Sequence, residues 1–297
     1  MINMVDIASY INDPNSVISH KCLVRINSIY KSLKSAEMKA VDYLLAHPEE
    51  FANNSIVELA AEAGCSEATL VRLARKLGFS GYSELKNSLL RTKNDNDVLY
   101  QEISSKDSEI DVIRKVFQTS IQAISDTLNI IDIAQYEEAV KAIKNAGKVL
   151  FVGAGDASAV AMTGCHKFNR MGIDSEFSQD FDIQLIMASH LKKGDVLLAI
   201  SHSGRTKTVI DVVRVAKSEG ATVIAITNYP MSTLAKLSNI LLTTVAFVQN
   251  LIGEIMTKRI PALCIIESLY ISLVRKMDAD FALTLEKSNE VLTINKM

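Results

Sequence analysis

Apolar residues along the chain follow two different periods, and the change between them divides the sequence into two parts. In the first third, apolar positions recur every three or four residues, which predicts helices over residues 23–33, 35–46, 55–63 and 67–77. From residue 148 onward, short apolar runs rich in β-branched residues alternate with helical segments. This alternation is typical of a parallel sheet covered by helices on both faces. The pattern therefore predicts an all-α N-terminal domain followed by an α/β C-terminal domain.

The elements of the second part can be placed individually. The predicted strands are residues 148–152, 175–177, 195–200, 222–227 and 239–243. The predicted helices are residues 109–128, 133–145, 157–171, 181–190, 207–219 and 254–277. Residues 92–108 are rich in Asn, Asp and Ser, which predicts a linker. We therefore assign residues 21–93 to the helical domain, 94–108 to the linker and 109–297 to the α/β domain.

The third and fourth predicted helices have the spacing of a helix-turn-helix pair. Ser55 and Glu58 form a capping box at the start of the third helix. Ala60 is small where the two helices must touch, and Gly64 suits a left-handed turn four residues later. Ser66 then caps the fourth helix, whose leucines are expected to face inward. The candidate DNA-binding residues on its outer face are Ser66, Glu67 and Thr69 for base edges, and Arg72, Arg75 and Lys76 for phosphates.

The distribution of charge supports this interpretation. The whole chain has a formal net charge of −2. Residues 64–93 nevertheless contain six Lys or Arg against two Glu, a net charge of +4, whereas the rest of the chain is negative. A short basic segment is what a small nucleic-acid-binding face requires. The alternative is a plain helical hairpin with a solvated basic face, which would have the same charges.

A turn in the second part, residues 201–206, has the chemistry of an anion site. The turn follows a predicted strand and precedes a predicted helix, so its backbone N–H groups and the positive end of the helix dipole face the same place. Its side chains supply three hydroxyls, a glycine and two nearby cations: Ser201, Ser203, Thr206, Gly204, Arg205 and Lys207. The pattern favours a phosphate site. The alternative is an ordinary strand-to-helix turn in which Thr206 is the N-cap.

A second turn with two glycines, residues 153–158, follows the first predicted strand. A G-x-G sequence after a strand also occurs in dinucleotide-binding folds. Here Ser158 replaces the third glycine of that motif, and no acidic residue follows at a strand end about twenty residues later. We therefore predict no cofactor. Because ligands of parallel sheets bind beyond the carboxyl ends of the strands, Gly155 and Ser158 are expected to form a second wall around one anionic ligand.

Composition excludes several other classes of protein. The four cysteines have neither metal-ligand nor C-x-x-C spacing, which predicts no zinc site, no other metal and no disulfide. The first twenty residues lack the basic segment of a signal peptide. The longest apolar stretch, residues 260–274, contains a proline and a glutamate and is too short to span a bilayer. These features predict a cytoplasmic protein with no membrane partner.

Two parts of the sequence resemble known families. Residues 65–86, CSEATLVRLARKLGFSGYSELK, are similar to the DNA-binding domain of the RpiR family of bacterial transcriptional regulators. The SIS (sugar isomerase) domain, which usually follows that domain, is resembled by VGAGDAS at 152–158, ISHSGRTK at 200–207 and the run at 220–238. Together the two resemblances cover nearly all of residues 25–277.

The resemblance implies a regulator that senses a phosphorylated sugar, and not an enzyme. In SIS domains the hydroxyl-rich turn binds the phosphate of a phosphosugar. The implied ligand residues are therefore Gly155, Ser158, Ser201, Ser203, Gly204 and Thr206. Isomerases of this fold use a Glu and a His for proton transfer, and Glu254 is the nearest match to that Glu, so it joins the candidate ligand residues. The implied partners are a double-stranded DNA operator and the sugar phosphate, bound by a homodimer or homotetramer.

Two other functions fit parts of the sequence. The phosphate turn and Glu254 would also suit a sugar-phosphate isomerase with an accessory helical domain. However, Pro261 interrupts the predicted helix soon after Glu254, and His202 has no carboxylate neighbour in sequence to orient it as a general base. A third interpretation has the N-terminal helices bind a protein. The regulator is favoured because neither alternative uses the basic face and the helix-turn-helix spacing.

Overall fold

The computed structural model of the chain describes residues 7, 10, 16–90, 103–246, 257–276 and 279–295. These residues divide into two compact units. The first contains the described residues up to Ile130 together with Val245, Ala246 and Thr257, and the second contains 131–244 and the described residues from Lys258 onward. The helix at 109–130 therefore groups with the first unit, whereas the sequence assigns it to the second domain. The predicted domain limits stay a prediction.

The first unit is helical. Its helices are α1 (His20–Ile29), α2 (Ser35–Ala46), α3 (Pro48–Asn53), α4 (Ile56–Glu62), α5 (Glu67–Lys76), α6 (Tyr82–Leu89) and α7 (Glu109–Ile130), with a 3-10 turn at Tyr30–Ser32 after α1. The sequence predicts neither α3 nor α6. Pro48 occupies the first position of α3. Proline suits that position because the first N–H of a helix has no partner within the helix.

The helix-turn-helix geometry is present in α4 and α5. The Ser55 hydroxyl accepts a hydrogen bond from the Glu58 N–H, and the Glu58 carboxylate accepts one from the Ser55 N–H at 2.8 Å, which confirms the predicted capping box. Gly64 adopts a φ of +62°, as the turn requires. Leu59 of α4 and Leu70 of α5 are fully buried, so the two helices meet through their apolar faces.

The second unit is an α/β fold. Its strands are β1 (Val149–Gly153), β2 (Ser175–Phe177), β3 (Val196–Ile200), β4 (Thr222–Thr227) and β5 (Ile240–Thr243). Its helices are α8 (Ile133–Lys144), α9 (Asp156–Arg170), α10 (Phe181–Ser189), α11 (Lys207–Ser218), α12 (Thr233–Leu237), α13 (Arg259–Arg275) and α14 (Ala279–Leu292). All strand pairs are parallel, which confirms the predicted class. The described part of the predicted helix 254–277 is α13, and α12 and α14 were not predicted.

The order of the strands determines where a ligand can enter. The sheet has the order β2-β1-β3-β4-β5. Alternate residues of β1 and β3 face opposite layers: Phe151 and Leu198 pack in the same core as α9, whereas Leu150 and Leu197 pack in the same core as α11. The connections that follow β1 and β3 therefore leave on opposite faces of the sheet. A crevice opens at such a point, beyond the carboxyl ends of the two neighbouring strands.

Two further observations concern chemistry outside this crevice. Within the described ranges, no helix combines the length and apolar character needed to cross a bilayer, and no group of three His, Cys, Asp or Glu side chains is placed to hold a metal ion. The four cysteines are free thiols. Burial raises the pKa of Cys22 to about 12, so that thiol stays protonated at neutral pH.

Candidate functional site

A cavity of about 310 Å³ lies at the carboxyl ends of β1 and β3. Its polar and charged lining comes from the two turns predicted to meet there, from the residue after β5 and from the start of α13: Gly155, Asp156, Ser201, His202, Ser203, Thr206, Thr244, Lys258 and Arg259. All of these residues belong to the second unit. The volume is that of a site for a small molecule, which is usually larger than about 300 Å³. The structure thus brings the two predicted turns together at one cavity.

The hydroxyl-rich turn is held in shape by its own side chains. Ser201 is only 3% exposed, and its hydroxyl accepts a hydrogen bond from the Gly204 N–H at 3.1 Å. The Ser201 and Thr206 hydroxyl oxygens lie 3.0 Å apart. The Ser203 hydroxyl accepts a hydrogen bond from the Arg205 N–H at 3.3 Å. Ser201 therefore shapes the turn as well as lining the cavity.

A count of hydroxyl protons shows what this turn can offer to a ligand. Each serine or threonine hydroxyl donates one proton. The bond between Ser201 and Thr206 uses one of their two protons, whichever of them donates. The other proton of this pair remains, and so does the proton of Ser203, whose oxygen acts only as an acceptor in the turn. Two hydroxyl protons are thus left for acceptors such as phosphate oxygens.

The start of α11 adds further donors. Thr206 is the N-cap residue of α11, but its side chain accepts no bond from the helix and is hydrogen-bonded to Ser201. The first N–H groups of the helix therefore lack the side-chain acceptor that an N-cap threonine usually supplies. This arrangement differs from the ordinary capped turn that was the alternative interpretation. It leaves the positive end of the helix dipole directed at the cavity.

Gly204 has a different role from the one we expected. Its φ is +60°, and a Cβ at this position would lie 2.0 Å from the Ser232 hydroxyl oxygen and 2.4 Å from the Ser232 Cβ. Gly204 does not line the cavity. The glycine allows the turn to pack against the loop after β4, where a larger residue would overlap Ser232. It is therefore required by packing within the protein and not by contact with a ligand.

The first turn contributes one of its two predicted residues to the cavity. Gly155 has a φ of +57° and lines both this cavity and an adjoining one of about 360 Å³. Ser158 lines only the adjoining cavity, and its hydroxyl donates a hydrogen bond to the Gly155 carbonyl oxygen at 2.6 Å. The two residues are close in space, as predicted, and share the adjoining cavity, but only Gly155 lines the cavity at the ends of β1 and β3. Glu254, the remaining predicted ligand residue, lies outside the described residues.

The positive charge of the cavity comes from residues that sequence reasoning missed. Arg205 is exposed, and Lys207 is paired with Asp211 on the surface of α11 at 2.7 Å, so neither of these predicted cations lines the cavity. Lys258 and Arg259 line it instead. Both contact Asp156, with Nζ to Oδ2 at 3.0 Å and Nη1 to Oδ1 at 3.8 Å. The hydrogen bond from Lys258 lowers the pKa of Asp156.

A sequence signal for these cations exists. Lys258 and Arg259 stand at the N-terminus of α13, where the helix dipole disfavours positive side chains. Adjacent basic residues at a helix start are a sign that an anion belongs there. The predicted helix begins at residue 254, which puts both residues inside it, where they give no such signal. The two cations and one carboxylate give the mouth of the cavity a net formal charge of +1.

His202 is a half-buried residue of the cavity lining whose two ring nitrogens are buried. Its ring stacks edge-on against Tyr229, with centroids 5.7 Å apart. Neither ring nitrogen has a hydrogen-bond partner among the described residues. Burial, with a smaller contribution from the charge of Lys258, lowers the pKa of His202 to about 4. The ring is therefore neutral at neutral pH, and its two nitrogens are themselves buried. The sequence predicts only a turn residue here.

The candidate nucleic-acid interface lies on α5 in the first unit. Ser66, Glu67, Arg72 and Arg75 are exposed, as the helical pattern predicts. The prediction that Thr69 faces outward is wrong: it is 3% exposed, and its hydroxyl bonds to Ser66 and accepts a hydrogen bond from Arg72. The Ser66 hydroxyl caps the helix by accepting the Thr69 N–H at 3.2 Å. Thr69 therefore stabilises the N-terminus of the helix and positions Arg72.

Lys76 is engaged within the helical unit. Its ammonium group lies 2.7 Å from the carboxylate of Glu37 at the start of α2. Burial alone would raise the pKa of Glu37, but hydrogen bonds from Lys76 and from the Lys34 N–H, with the charges of both lysines, lower it below its ordinary value. Lys76 is thus held by an ion pair between α5 and α2, which was not anticipated. Arg72 and Arg75 are the exposed cations of the predicted set that remain for phosphates.

Comparison with known proteins agrees with both halves of this description. Residues 20–94 match the helix-turn-helix domain of the RpiR family, and residues 142–272 match the SIS domain. An HTH-type transcriptional regulator of Thermotoga maritima is 34% identical over 249 residues, which cover 83% of this chain and 89% of that protein. This chain belongs to the RpiR family of transcriptional regulators. The family and fold predicted from the sequence are confirmed.

Two further similarities extend over most of the chain. The HTH-type transcriptional regulator RpiR of Escherichia coli K12 is 28% identical over 257 residues, covering 86% of this chain and 87% of that protein. The structure of the NanR protein of Vibrio vulnificus complexed with ManNAc-6P is 26% identical, with a TM-score of 0.58, and covers 93% of this chain and 99% of that one. This RpiR-family member is therefore a transcriptional regulator that combines a helix-turn-helix domain and a SIS domain.

Proposed function

We propose that this RpiR-family regulator binds an operator in double-stranded DNA through α5 and senses a phosphorylated sugar in the cavity between β1 and β3. The observation that carries the proposal is the turn at 201–206, whose free hydroxyl protons and uncapped helix start converge on a cavity of about 310 Å³. The NanR protein, a similar structure over nearly its whole length, is complexed with ManNAc-6P, which supports a ligand of this class.

Each end of such a ligand has a matching part of the cavity. The phosphate group accepts hydrogen bonds from Ser203, from the pair of Ser201 and Thr206, and from the first N–H groups of α11. Lys258 and Arg259 supply the opposing charge. The sugar hydroxyls can both donate and accept, and the carboxylate of Asp156, which also lines the cavity, can accept a hydrogen bond from them.

The contacts with DNA follow from the exposed side chains of α5. Ser66 and Glu67 stand at the N-terminus of the recognition helix, where base edges are read, and Arg72 and Arg75 bind backbone phosphates. A homo-oligomer of at least two chains places two recognition helices about one duplex turn, or roughly 34 Å, apart on a palindromic operator.

A short route connects the cavity to the helical unit. Thr244 lines the cavity, and the N–H of the next residue, Val245, donates a buried hydrogen bond to the Thr127 hydroxyl of α7 at 2.9 Å. Asp126, adjacent to Thr127, accepts a hydrogen bond from His20 of α1 at 2.9 Å, and both side chains are buried. A ligand that shifts Thr244 therefore acts on the helix to which α1 is joined. We propose that this route couples ligand binding to DNA binding.

The experiment that tests the ligand class is a thermal-shift screen of the purified full chain. The probes are a panel of hexose and amino-sugar phosphates, the same sugars without phosphate, and inorganic phosphate. We expect a rise in melting temperature with at least one phosphosugar and none with its unphosphorylated counterpart. Ser203→Ala combined with Thr206→Ala should abolish the rise, because two of the hydroxyl donors are lost. Ser218→Ala, at the exposed far end of α11, is the matched control and should retain it. A response to sugars regardless of phosphate would contradict the proposal.

We also propose that the protein does not turn over its ligand. Its RpiR-family relatives are transcriptional regulators. Among the described residues that line the cavity, the only imidazole is His202, which is stacked on Tyr229 and has no carboxylate to orient it. The test is an NMR time course of each stabilising phosphosugar incubated with the protein. Unchanged spectra are expected, and conversion to an isomer would favour the isomerase.

A further inference from the structure

Arg25 of α1 contacts the ends of two other helices in the first unit. Its guanidinium donates one hydrogen bond from Nη1 to the Gly78 carbonyl oxygen at 3.2 Å and another from Nη2 to the Asn129 carbonyl oxygen at 3.0 Å. Gly78 comes directly after the C-cap residue of α5, the recognition helix, and Asn129 lies in the last turn of α7. The side chain therefore bridges the C-terminal ends of α5 and α7.

The turn that ends α5 has a defined geometry, and Arg25 packs on it. The Gly78 N–H donates a hydrogen bond to the Arg75 carbonyl oxygen at 3.0 Å, and Gly78 has a φ of +78°. The Phe79 N–H donates one to the Ala74 carbonyl oxygen, also at 3.0 Å, which completes a Schellman turn. The Arg25 guanidinium carbon lies 4.5 Å from the centroid of the buried Phe79 ring. Arg25 thus holds this turn by a hydrogen bond and a cation–π contact.

A guanidinium suits this position for two reasons. The last carbonyl groups of a helix have no N–H partner within it and form the negative end of the helix dipole, so a cation is favourable at the C-terminus of α7. The guanidinium is also planar, with its N–H groups in a fixed fork. Because each terminal nitrogen bonds to a different helix end, the side chain sets the distance between the two carbonyl oxygens. A lysine, whose ammonium is a single point on a flexible stem, cannot set that distance.

The part of α7 that Arg25 contacts is also the part that bonds to α1 elsewhere. Asp126 is hydrogen-bonded to His20 of α1 at 2.9 Å, and it lies within one turn of Asn129. Thr127, between these two residues, accepts the hydrogen bond from the Val245 N–H. A displacement of this turn therefore reaches α1 through His20, and Arg25 passes it on to the end of α5.

We propose that Arg25 is a positioning residue that fixes the orientation of α5 relative to α7, and thereby the fit of the recognition helix to the operator. The ten residues of α5 extend over about 15 Å. A tilt of about 5° at the C-terminal end moves the N-terminal end, with Ser66 and Glu67, by roughly 1.3 Å, which is more than the range of hydrogen-bond lengths allows. This role rests on the proposed binding of DNA by α5 and does not require that the effector be a phosphosugar.

The alternative is that Arg25 itself binds a phosphate of the DNA. Loss of a phosphate contact weakens binding to all duplexes about equally and lowers the slope of log K against log salt by about 1. Loss of a positioning residue instead weakens the contacts with base edges, which only the operator provides. The preference for the operator over a duplex of scrambled sequence therefore separates the two roles.

The test measures this preference for the full chain by fluorescence anisotropy at several salt concentrations. Arg25→Lys keeps the charge but not the fork, and Arg25→Met removes both hydrogen bonds. We expect each to reduce the preference by roughly tenfold, the effect of losing one base contact, with the affinity for the scrambled duplex and its salt slope unchanged. Lys21→Met, which removes an exposed charge from the same helix, is the control and should keep the preference of the wild type. Circular dichroism reports whether each variant is folded.

Two results would overturn the proposal. One is a folded Arg25 variant with the operator preference of the wild type, and the other is an equal loss of affinity for both duplexes with a lower salt slope. Arg25→Lys is the milder change, so it decides the matter if Arg25→Met does not fold.

A second readout concerns the ligand. Arg25→Lys should keep the thermal shift with a stabilising phosphosugar but reduce the change in operator affinity that this ligand causes. If no phosphosugar changes the operator affinity of the wild type, sugar sensing fails, and the operator preference of the ligand-free variants still decides the role of Arg25.

Discussion

Acidification should destabilise this protein through His202, and the size of the effect follows from the surroundings of the side chain. The imidazole is buried against Tyr229 and is near Lys258, and these surroundings lower its pKa to about 4 from an ordinary value of 6.5. The unfolded chain exposes the ring to water, where it takes up a proton below pH 6.5. Between pH 6.5 and 4 the unfolded state therefore binds a proton that the folded state does not bind.

The sign and magnitude follow from proton linkage. The contribution of His202 to stability is fully present above pH 6.5 and is lost as the pH falls to about 4, because only the unfolded state gains a proton in that interval. At 1.36 kcal/mol for each pK unit, the total loss is about 3 kcal/mol. About 2 kcal/mol of it falls between pH 7 and pH 5. Because other groups also titrate there, the measured quantity is the difference between wild type and a His202→Gln variant.

The assay is equilibrium urea unfolding of both proteins at pH 7 and pH 5, followed by circular dichroism. The fall in the free energy of unfolding between the two pH values should be smaller in His202→Gln by about 2 kcal/mol. His166→Gln, on an exposed position of α9 in the same unit, is the control and should behave as the wild type. Equal pH dependence in wild type and His202→Gln would show that the imidazole is accessible to protons in the folded state, and the neutral ring of the cavity would be refuted.

Three further predictions concern the turn, the DNA interface and the coupling route. Gly204→Ala should lower the free energy of unfolding by more than about 3 kcal/mol, because it combines a positive φ with overlap of Ser232. Gly155→Ala should cost less, about 1–3 kcal/mol in the same urea assay, because a Cβ meets open space there and only the backbone conformation, with φ +57° and ψ −127°, is unfavourable. Arg72→Ala should weaken operator binding and lower the slope of log K against log salt by about 1. Lys76→Met should lose about 1–2 kcal/mol of stability, because its ion pair with Glu37 is removed, and the folded variant should keep the salt slope of the wild type. Equal slopes for Arg72→Ala and wild type would show that Arg72 does not bind phosphate. Thr127→Val should leave the binding of DNA alone and of a stabilising phosphosugar alone intact. It should reduce the change in operator affinity that the phosphosugar causes several-fold, since the Val245 N–H loses its acceptor. An undiminished change in affinity would show that the coupling does not pass through Thr127.

Features set by neighbouring residues could be predicted from the sequence, and those set by distant residues could not. The capping box at Ser55 and the positive φ of Gly64 depend on residues within one or two turns, so local rules found them. The parallel sheet followed from the alternation of apolar runs. The cations of the cavity are separated from the hydroxyl turn by more than fifty residues, and only the fold brings Lys258 to His202.

The orientation of side chains on helices shows the same limit. Helical periodicity assigned Thr69 to the outer face of α5, but its position between apolar residues and its bond to Ser66 bury it. Periodicity also predicts the helix over residues 109–128, which the structure has as α7 (Glu109–Ile130). The sequence assigns Lys76 to DNA because no local pattern reveals its ion pair with Glu37, which lies 39 residues earlier in the chain.

We propose that a phosphosugar held by the turn at 201–206 changes how α5 binds DNA. The decisive measurement is the affinity for a labelled operator duplex, followed by fluorescence anisotropy as the stabilising phosphosugar is added. The ligand should shift the operator affinity of the wild type and of Ser218→Ala. It should have no effect on the Ser203→Ala, Thr206→Ala double variant, whose affinity without ligand is unchanged. An equal shift in the double variant, or a wild type that binds the phosphosugar with no change in operator affinity, would contradict it.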